Sequence, residues 1–420
     1  MLKPALILAF VLTGYAASHI DDGDALLYQT LARGSDWFVL QWTPTHYPRF
    51  SEHLPIIAWP AKIFGPFVRV FSAACTFLAW FLAARWLSRA GHSLAAAALF
   101  IIVAATESYV GTQTTARMEP VFLLAMVGAC TFATTRHFAV AGLLSGVALL
   151  WRGPFALLLG AMVPLALWAA QTRPKVRDVV VYTLCATAFP LAYYAADTQL
   201  GPGDSIAQYL HSQVLASLQG ERTDGDPRRY AALLTIGRRF WPGLALLPFA
   251  FFQRTRLTWF ATAWSVLALI GLSLGKRHVV HHALVVYPGL FLLSALGAEQ
   301  LLKRLPPWRP LTNVLLAASI AVSMILPLIR SRERCDFVQF VSLRAAGHCP
   351  TVYVATPNGA PDWQAATRLI DHALGRDFAF IATAESPPPS TCSPLVVSDE
   401  PLPHLHLERA GKRWSLFTRQ

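Results

Sequence analysis

The chain has 420 residues, of which 55% are hydrophobic and only 14% charged, and its mean hydropathy is +0.44. Soluble domains carry about 25% charged residues, so the composition excludes an ordinary soluble protein and indicates a polytopic membrane protein. The net charge of +12 does not point to nucleic acid: no nucleic-acid-binding module is recognisable, and Lys and Arg gather in short loops between apolar runs.

With ~20 apolar residues per membrane helix as the guide, about eleven spans follow one another. The first, 4–20, opens MLKPALILAFVLTGYAAS. It has the look of a signal peptide, but further spans follow and it reads as a retained helix. Directly after it comes HIDDGDALLY, with Asp21, Asp22 and Asp24. Such a carboxylate can cap a following helix, or it can take the proton of an attacking hydroxyl. The loop 21–63 continues with DALLYQTLARGSDWF, whose spacing fits an interfacial helix. It ends in RFSEHLPIIAW, where Glu52 and His53 precede a Leu-Pro. Glu52 reads as a ligand or orienting acid and His53 as a donor to an anion; a plain solvated turn is the alternative.

Spans 64–84 and 93–110 follow, and then TTARMEP, which puts Arg117 and Glu119 at the start of the span 119–135. A Glu is favoured at a helix N-terminus. An Arg is not, and Arg117 reads as a group that holds Glu119 or contacts a phosphate. Spans 138–151 and 154–171 are joined by WRGP, whose Arg152 needs an anion, a carbonyl or a water-filled cavity. After span 179–197, the loop 198–240 contains DSIAQYLHSQVLASL, a second interfacial helix, and His211. Spans 241–252 and 258–275 lead to KRHVVHHALVVYP. Its Lys276, Arg277 and His278 suit either lipid headgroups or a phosphate pocket. His278, His281 and His282 lack the spacing of a zinc motif. Spans 283–299 and 311–329 complete the membrane part, 1–330.

The remainder, 331–420, is less apolar. TVYVAT, DFAFIATA and RWSLFTR read as strands and PDWQAATRLIDHALG as a helix, which makes a small α/β domain. Of six cysteines, Cys75, Cys130 and Cys185 lie in apolar runs and read as packing residues. Among Cys335, Cys349 and Cys392, the first two are the expected pair.

Basic residues test the topology. With Lys3 in the cytoplasm, the loops holding Arg85, Arg89, Arg136, Arg173, Lys175, Arg177, Arg254, Arg256, Lys303, Arg304 and Arg309 all fall on that side. The carboxylates then crowd the outer face, together with Arg117, Arg152, Lys276, Arg277 and His278, which break the positive-inside bias. Far-apart charges are thus expected to meet in one outer cavity.

The order of these segments resembles the bacterial GT-C glycosyltransferases of the aminoarabinose transferase and protein O-mannosyltransferase superfamily. Asp21-Asp22 resembles the family's acidic motif after its first span, and Asp36-Trp37 its DW. FSEHLPIIAW resembles its FEKPPL..W segment, with His53 in place of Lys. ARMEP, WRGP and KRHVVHHALVVYP resemble its later motifs. The likeness covers roughly 1–300 and implies an all-α GT-C membrane domain with an extracytoplasmic active site.

The resemblance also implies a polyprenyl-phosphate sugar as donor and an acceptor hydroxyl on lipid A, protein or a glycan. On this reading Asp21, Asp22 and Glu119 are catalytic, and Arg117, Arg152, Lys276, Arg277, His53 and His278 hold the phosphate. Glu52 and His211 orient groups or bind a divalent metal, which stays open. The location implied is a bacterial inner membrane, with the site and the C-terminal domain facing the periplasm. A transporter or flippase of polyprenyl-linked glycans is the alternative. Such proteins place charges near the midplane, whereas these charges sit at helix ends.

Overall fold

The computed structural model describes residues 2–18, 31–32, 36–40, 54–114, 117–215, 219, 233–234, 236–237, 240–273 and 280–304. In the C-terminal part it describes 348–356, 377–382, 387, 393–398, 402, 405–410 and 415–418. Helix α1 covers Leu2–Ser18. A 3-10 turn, Pro55–Ala58, leads into the short helix α2, Trp59–Phe64. Next come α3, Val68–Arg89, then α4, Ser93–Ala105, and α5, Glu107–Gln113. The four helices α6, Glu119–Thr134, α7, Phe138–Arg152, α8, Leu159–Ala169, and α9, Val176–Leu200, are joined by tight turns. They are followed by α10, Ser205–Tyr209, by the short α11, Trp241–Leu244, and α12, Leu247–Ala250, and by the longer α13, Arg256–Ser273, and α14, Tyr287–Arg304.

By length and apolar composition Val68–Arg89, Phe138–Ala169, Val176–Leu200 and Arg256–Ser273 can each cross a bilayer, and Lys3–Ala16, Ser93–Ala105 and Glu119–Thr134 are shorter apolar helices. The chain is a multi-pass membrane protein. The expected spans differ from the helices mainly at their ends. The run 93–110 is broken at Thr106, whose hydroxyl donates to the Ile102 carbonyl at 2.8 Å. The run 241–252 becomes two single-turn helices because Pro242 and Pro248 each remove a backbone donor. The span 311–329 lies outside the described residues.

Two sets of contacts fix the direction of the central helices. On α7, Gly142 lies against Tyr182 and Cys185 of α9, and Gly146 against Ala186 and Pro190. The two helices therefore run parallel, and α8, which links them in sequence, runs back in the opposite direction. At one end the Thr172 hydroxyl donates to the Thr134 carbonyl at 3.1 Å, which ties the end of α8 to the end of α6. At the opposite end lie the start of α6 and the turn after α7. The first end carries the turns with Arg136, Arg173 and Lys175. The Arg256 guanidinium lies 5.6 Å from the Trp168 ring there, and that of Arg304 lies 3.8 Å from Phe252. His92 Nδ1 meets Glu299 Oε2 at 2.7 Å, and Lys303 adds a 3.1 Å pair to the same carboxylate. Basic turns thus share one end of the bundle, as the loop charges predict.

The core is apolar and aromatic. Trp80, Tyr109, Phe240, Tyr287 and Phe291 interlock at centroid separations of 4.9–6.0 Å, mostly edge to face, the arrangement ring quadrupoles favour. Trp264 is fixed by a 3.0 Å bond from its indole N–H to the Val285 carbonyl. Helix α9 stands apart: only 6% of its apolar window is buried, against 56% for α3.

The C-terminal residues form a five-stranded sheet of order β2-β1-β3-β5-β4. Its strands are β1, His348–Thr356, β2, Asp377–Ala382, β3, Ser393–Ser398, β4, His406–Ala410, and β5, Ser415–Thr418. β1 runs parallel to β2 and β3, while β5 pairs antiparallel with β3 and β4. Three of these strands match the expected ones; SPLVVS and HLERA add two that short length and flanking Pro and Glu concealed. The expected helix around 361–375 and the Cys335–Cys349 pair lie outside the described residues. Cys75, Cys130 and Cys185 are free thiols.

The α7–α9 seam depends on glycine. A Cβ on Gly142 would lie 2.3 Å from the Tyr182 carbonyl oxygen, whereas one on Gly160 would meet nothing within 4 Å. Gly142→Ala is expected to cost about 1–3 kcal/mol through forced separation of the helices. Gly160→Ala should be neutral or stabilising by up to ~1 kcal/mol. Thermal unfolding of the two variants in detergent checks the contrast.

Candidate functional site

Glu119 opens α6 and Arg152 closes α7, so each charge sits at the helix end whose dipole favours it. Their side chains are 5% and 6% exposed and form an ion pair through Arg152 Nη2 and Glu119 Oε1. The turn after Arg152 needs Gly153. Its φ is +46°, and a Cβ there would lie 2.7 Å from the Tyr209 hydroxyl. Tyr209 belongs to α10, which is held to α9 by Asp197: this buried carboxylate accepts from the Ser205 amide at 3.1 Å and its hydroxyl at 2.8 Å.

The pair borders a narrow cavity of ≈ 20 Å³, also lined by Tyr109, Gln113, Trp264 and Leu284. That is room for about one water. Glu119 Oε2 and Arg152 Nε are buried there without a hydrogen-bond partner among the described residues. Gln113 is anchored by the Thr76 hydroxyl, which donates to its backbone carbonyl at 3.2 Å. The Arg152 guanidinium also lies 5.7 Å from the Phe155 ring centroid. Arg117 is half-buried, two residues before Glu119. The sequence left open whether Arg117 holds Glu119 or contacts a phosphate; in the structure Arg152 pairs with Glu119.

Several expected site residues, Asp21, Asp22, Glu52, His53, Lys276, Arg277 and His278, lie outside the described residues. His211 is exposed in a π-helical turn, Leu210–Leu215. Among the described residues no group of three His, Cys, Asp or Glu side chains gathers that would hold a metal.

A second feature, unforeseen as a site from sequence, lies at Asp36–Leu40. Asp36 Oδ1 accepts from the amides of Phe38 at 2.7 Å and Val39 at 3.0 Å. The Trp59 indole donates to the Trp37 carbonyl at 2.9 Å. Lys62 donates to the Asp36 carbonyl, and its ammonium lies 5.4 Å from the Trp37 ring centroid. Burial lowers the Lys62 pKa, and attraction to Asp36 opposes that shift. The signal available in the sequence was the DW pair followed, 22 residues on, by another Trp.

Comparison with known proteins bears on the fold. No protein-family model matches the chain, and no curated protein sequence matches it significantly. Its structure is similar to the crystal structure of ArnT from Cupriavidus metallidurans bound to undecaprenyl phosphate. The TM-score is 0.63 at 12% identity, over 98% of this chain and 97% of that one. The chain has the GT-C fold.

Arg152→Met should destabilise the protein by about 3–5 kcal/mol, because it leaves the Glu119 carboxylate buried and uncompensated. Glu119→Gln combined with Arg152→Met should recover much of that loss. A double-mutant cycle on melting in detergent measures the coupling.

Proposed function

We propose that the protein is an integral membrane glycosyltransferase that moves a sugar from a polyprenyl-phosphate donor to an extracytoplasmic acceptor hydroxyl, with inversion. The observation that carries this reading is the buried Arg152–Glu119 pair. It lies at the end of the bundle opposite the basic turns, in a fold shared with a structure that holds a polyprenyl phosphate. A guanidinium has five N–H donors in a rigid fork. With one of them on Glu119, Arg152 retains donors for a phosphate oxygen, and its orientation is fixed before the ligand arrives.

In this mechanism Arg117, Arg152, Lys276, Arg277, His53 and His278 surround the donor phosphate. They stabilise the charge that grows on it as the bond to the anomeric carbon breaks. Glu119 orients Arg152. Asp21 or Asp22 takes the acceptor proton while the acceptor oxygen attacks the anomeric carbon from the opposite face. The lipid phosphate leaves with the bonding electron pair. One displacement inverts the centre and needs no covalent sugar–protein intermediate. Glu52 and His211 orient substrate groups, or hold a divalent metal that would neutralise phosphate charge. The basic end faces the cytoplasm of a bacterial inner membrane, and the site and the 331–420 α/β domain face the periplasm.

The test is reconstitution of the purified protein with a synthetic polyprenyl-phosphate sugar and a panel of acceptors. Lipid phosphate should be released in step with a glycosylated product. Asp21→Asn with Asp22→Asn should lower turnover by about 10²–10⁴-fold, and Arg152→Gln by about 10²–10³-fold. Full activity of the double aspartate variant would remove the base assignment. Relocation of the intact lipid across the bilayer, without cleavage, would replace transfer by transport.

A further inference from the structure

The Asp36–Leu40 segment and helix α2 build a polar and aromatic corner that the mechanism above does not use. It encloses a depression of ≈ 410 Å³ lined by Asp36, Trp37, Phe38, Trp59 and Leu200, a volume within the range of small-ligand sites. Trp37 and Trp59 meet at 76° with centroids 5.9 Å apart, and Phe38 meets Trp59 at 88°. The Lys62 ammonium lies over the Trp37 ring at 5.4 Å, yet Trp37 is still 43% exposed, so part of its aromatic surface stays open. Tyr193 of α9 backs the corner, 6.0 Å from Phe38 and 6.1 Å from Trp59.

Three observations limit what this corner receives. First, Trp residues that anchor a protein at the bilayer interface keep the indole N–H for headgroups and water. The Trp59 N–H is instead consumed by the Trp37 carbonyl, which makes the corner rigid. Second, a carboxylate stands at its rim. An ionised carboxylate pressed against hydrocarbon is strongly unfavourable, which argues against a lipid tail. Third, Asp36 Oδ1 receives two backbone amides, while a carboxylate offers about four acceptor sites. Capacity remains for hydroxyl donors. An open aromatic face beside an acceptor-rich edge complements a ring with an apolar C–H face and a hydroxyl edge.

We propose that this corner binds one pyranose ring of the acceptor, its C–H face on Trp37 and its hydroxyls at Asp36. The word acceptor rests on the transferase reading above; the binding of a pyranose does not. The experiment is saturation-transfer NMR on the full-length protein in detergent, with the methyl glycosides of glucose, mannose, galactose and N-acetylglucosamine as probes. At least one probe should receive saturation on its ring C–H protons. Trp37→Ala should weaken that probe's binding by about 2- to 10-fold, and Trp37→Phe should retain it. Asp36→Asn keeps an oxygen for the Phe38 and Val39 amides and should shift binding toward fewer hydroxyl contacts, read as weaker affinity at an unchanged melting temperature. No saturation on any of the four probes, or equal saturation in wild type and a folded Trp37→Ala, overturns the proposal. The readout needs no donor, so binding that persists in a protein without transfer activity separates failure of the transferase reading from failure of this one.

Discussion

One buried ion pair ties together the ends of two central helices. Arg152 and Glu119 sit where α7 ends and α6 begins, and both side chains are almost fully buried. In such surroundings neither charge is tolerable alone, so each fixes the other. That constraint explains several neighbouring choices. Gly153 must follow Arg152 because the chain turns with positive φ under Tyr209. Asp197 must hold α10 so that Tyr209 reaches that turn. The pair joins two helix ends beside a narrow cavity and leaves Glu119 Oε2 and Arg152 Nε without a hydrogen-bond partner among the described residues.

The rest of the membrane part serves to hold those ends in register. Among helices in lipid the association comes from close packing rather than from exclusion of water. The chain supplies it in two ways. Gly142 and Gly146 let α7 and α9 approach backbone to backbone, and aromatic rings lock α3, α5 and α14 around Trp80 and Phe291. The opposite end carries the turns with Arg136, Arg173 and Lys175 and the pairs around Glu299. Among the described residues these basic turns lie at one end of the bundle, and the buried Arg152–Glu119 pair lies at the other.

Much of this architecture was legible in the sequence. Apolar runs gave the helices 119–134 and 138–152 to within one residue and 176–200 to within three at each end, since membrane length and turn residues act locally. The basic turns foretold which ends lie together. Glu119 and Arg152 stood out because charge inside an apolar hairpin needs a partner. Their mutual pairing was not legible: it depends on the 33-residue offset closing in space, which α6 and α7 achieve only once packed. Proline-broken α11 and α12 escaped notice because apolar composition alone does not reveal a missing donor. Asp36-Trp37 and Trp59 stood out only as separate motif resemblances, and their packing into one corner escaped. An isolated Trp in a membrane protein reads as an interface anchor, and only the bond from Trp59 to the Trp37 carbonyl shows that the two act as a unit.

Helix α9 carries a last consequence. Val176, Leu184 and Leu191 are 82%, 63% and 63% exposed, so among the described residues much of this helix is left uncovered and suits contact with acyl chains. Its tilt then follows hydrophobic matching to the local membrane thickness. Because Tyr193, Asp197 and Leu200 sit near the end of this same helix, a thicker or thinner bilayer acts mechanically on the floor of the aromatic depression and on the anchor beneath Tyr209. Lipid composition therefore becomes a physical input to the geometry of both polar features, without any lipid headgroup having to be recognised.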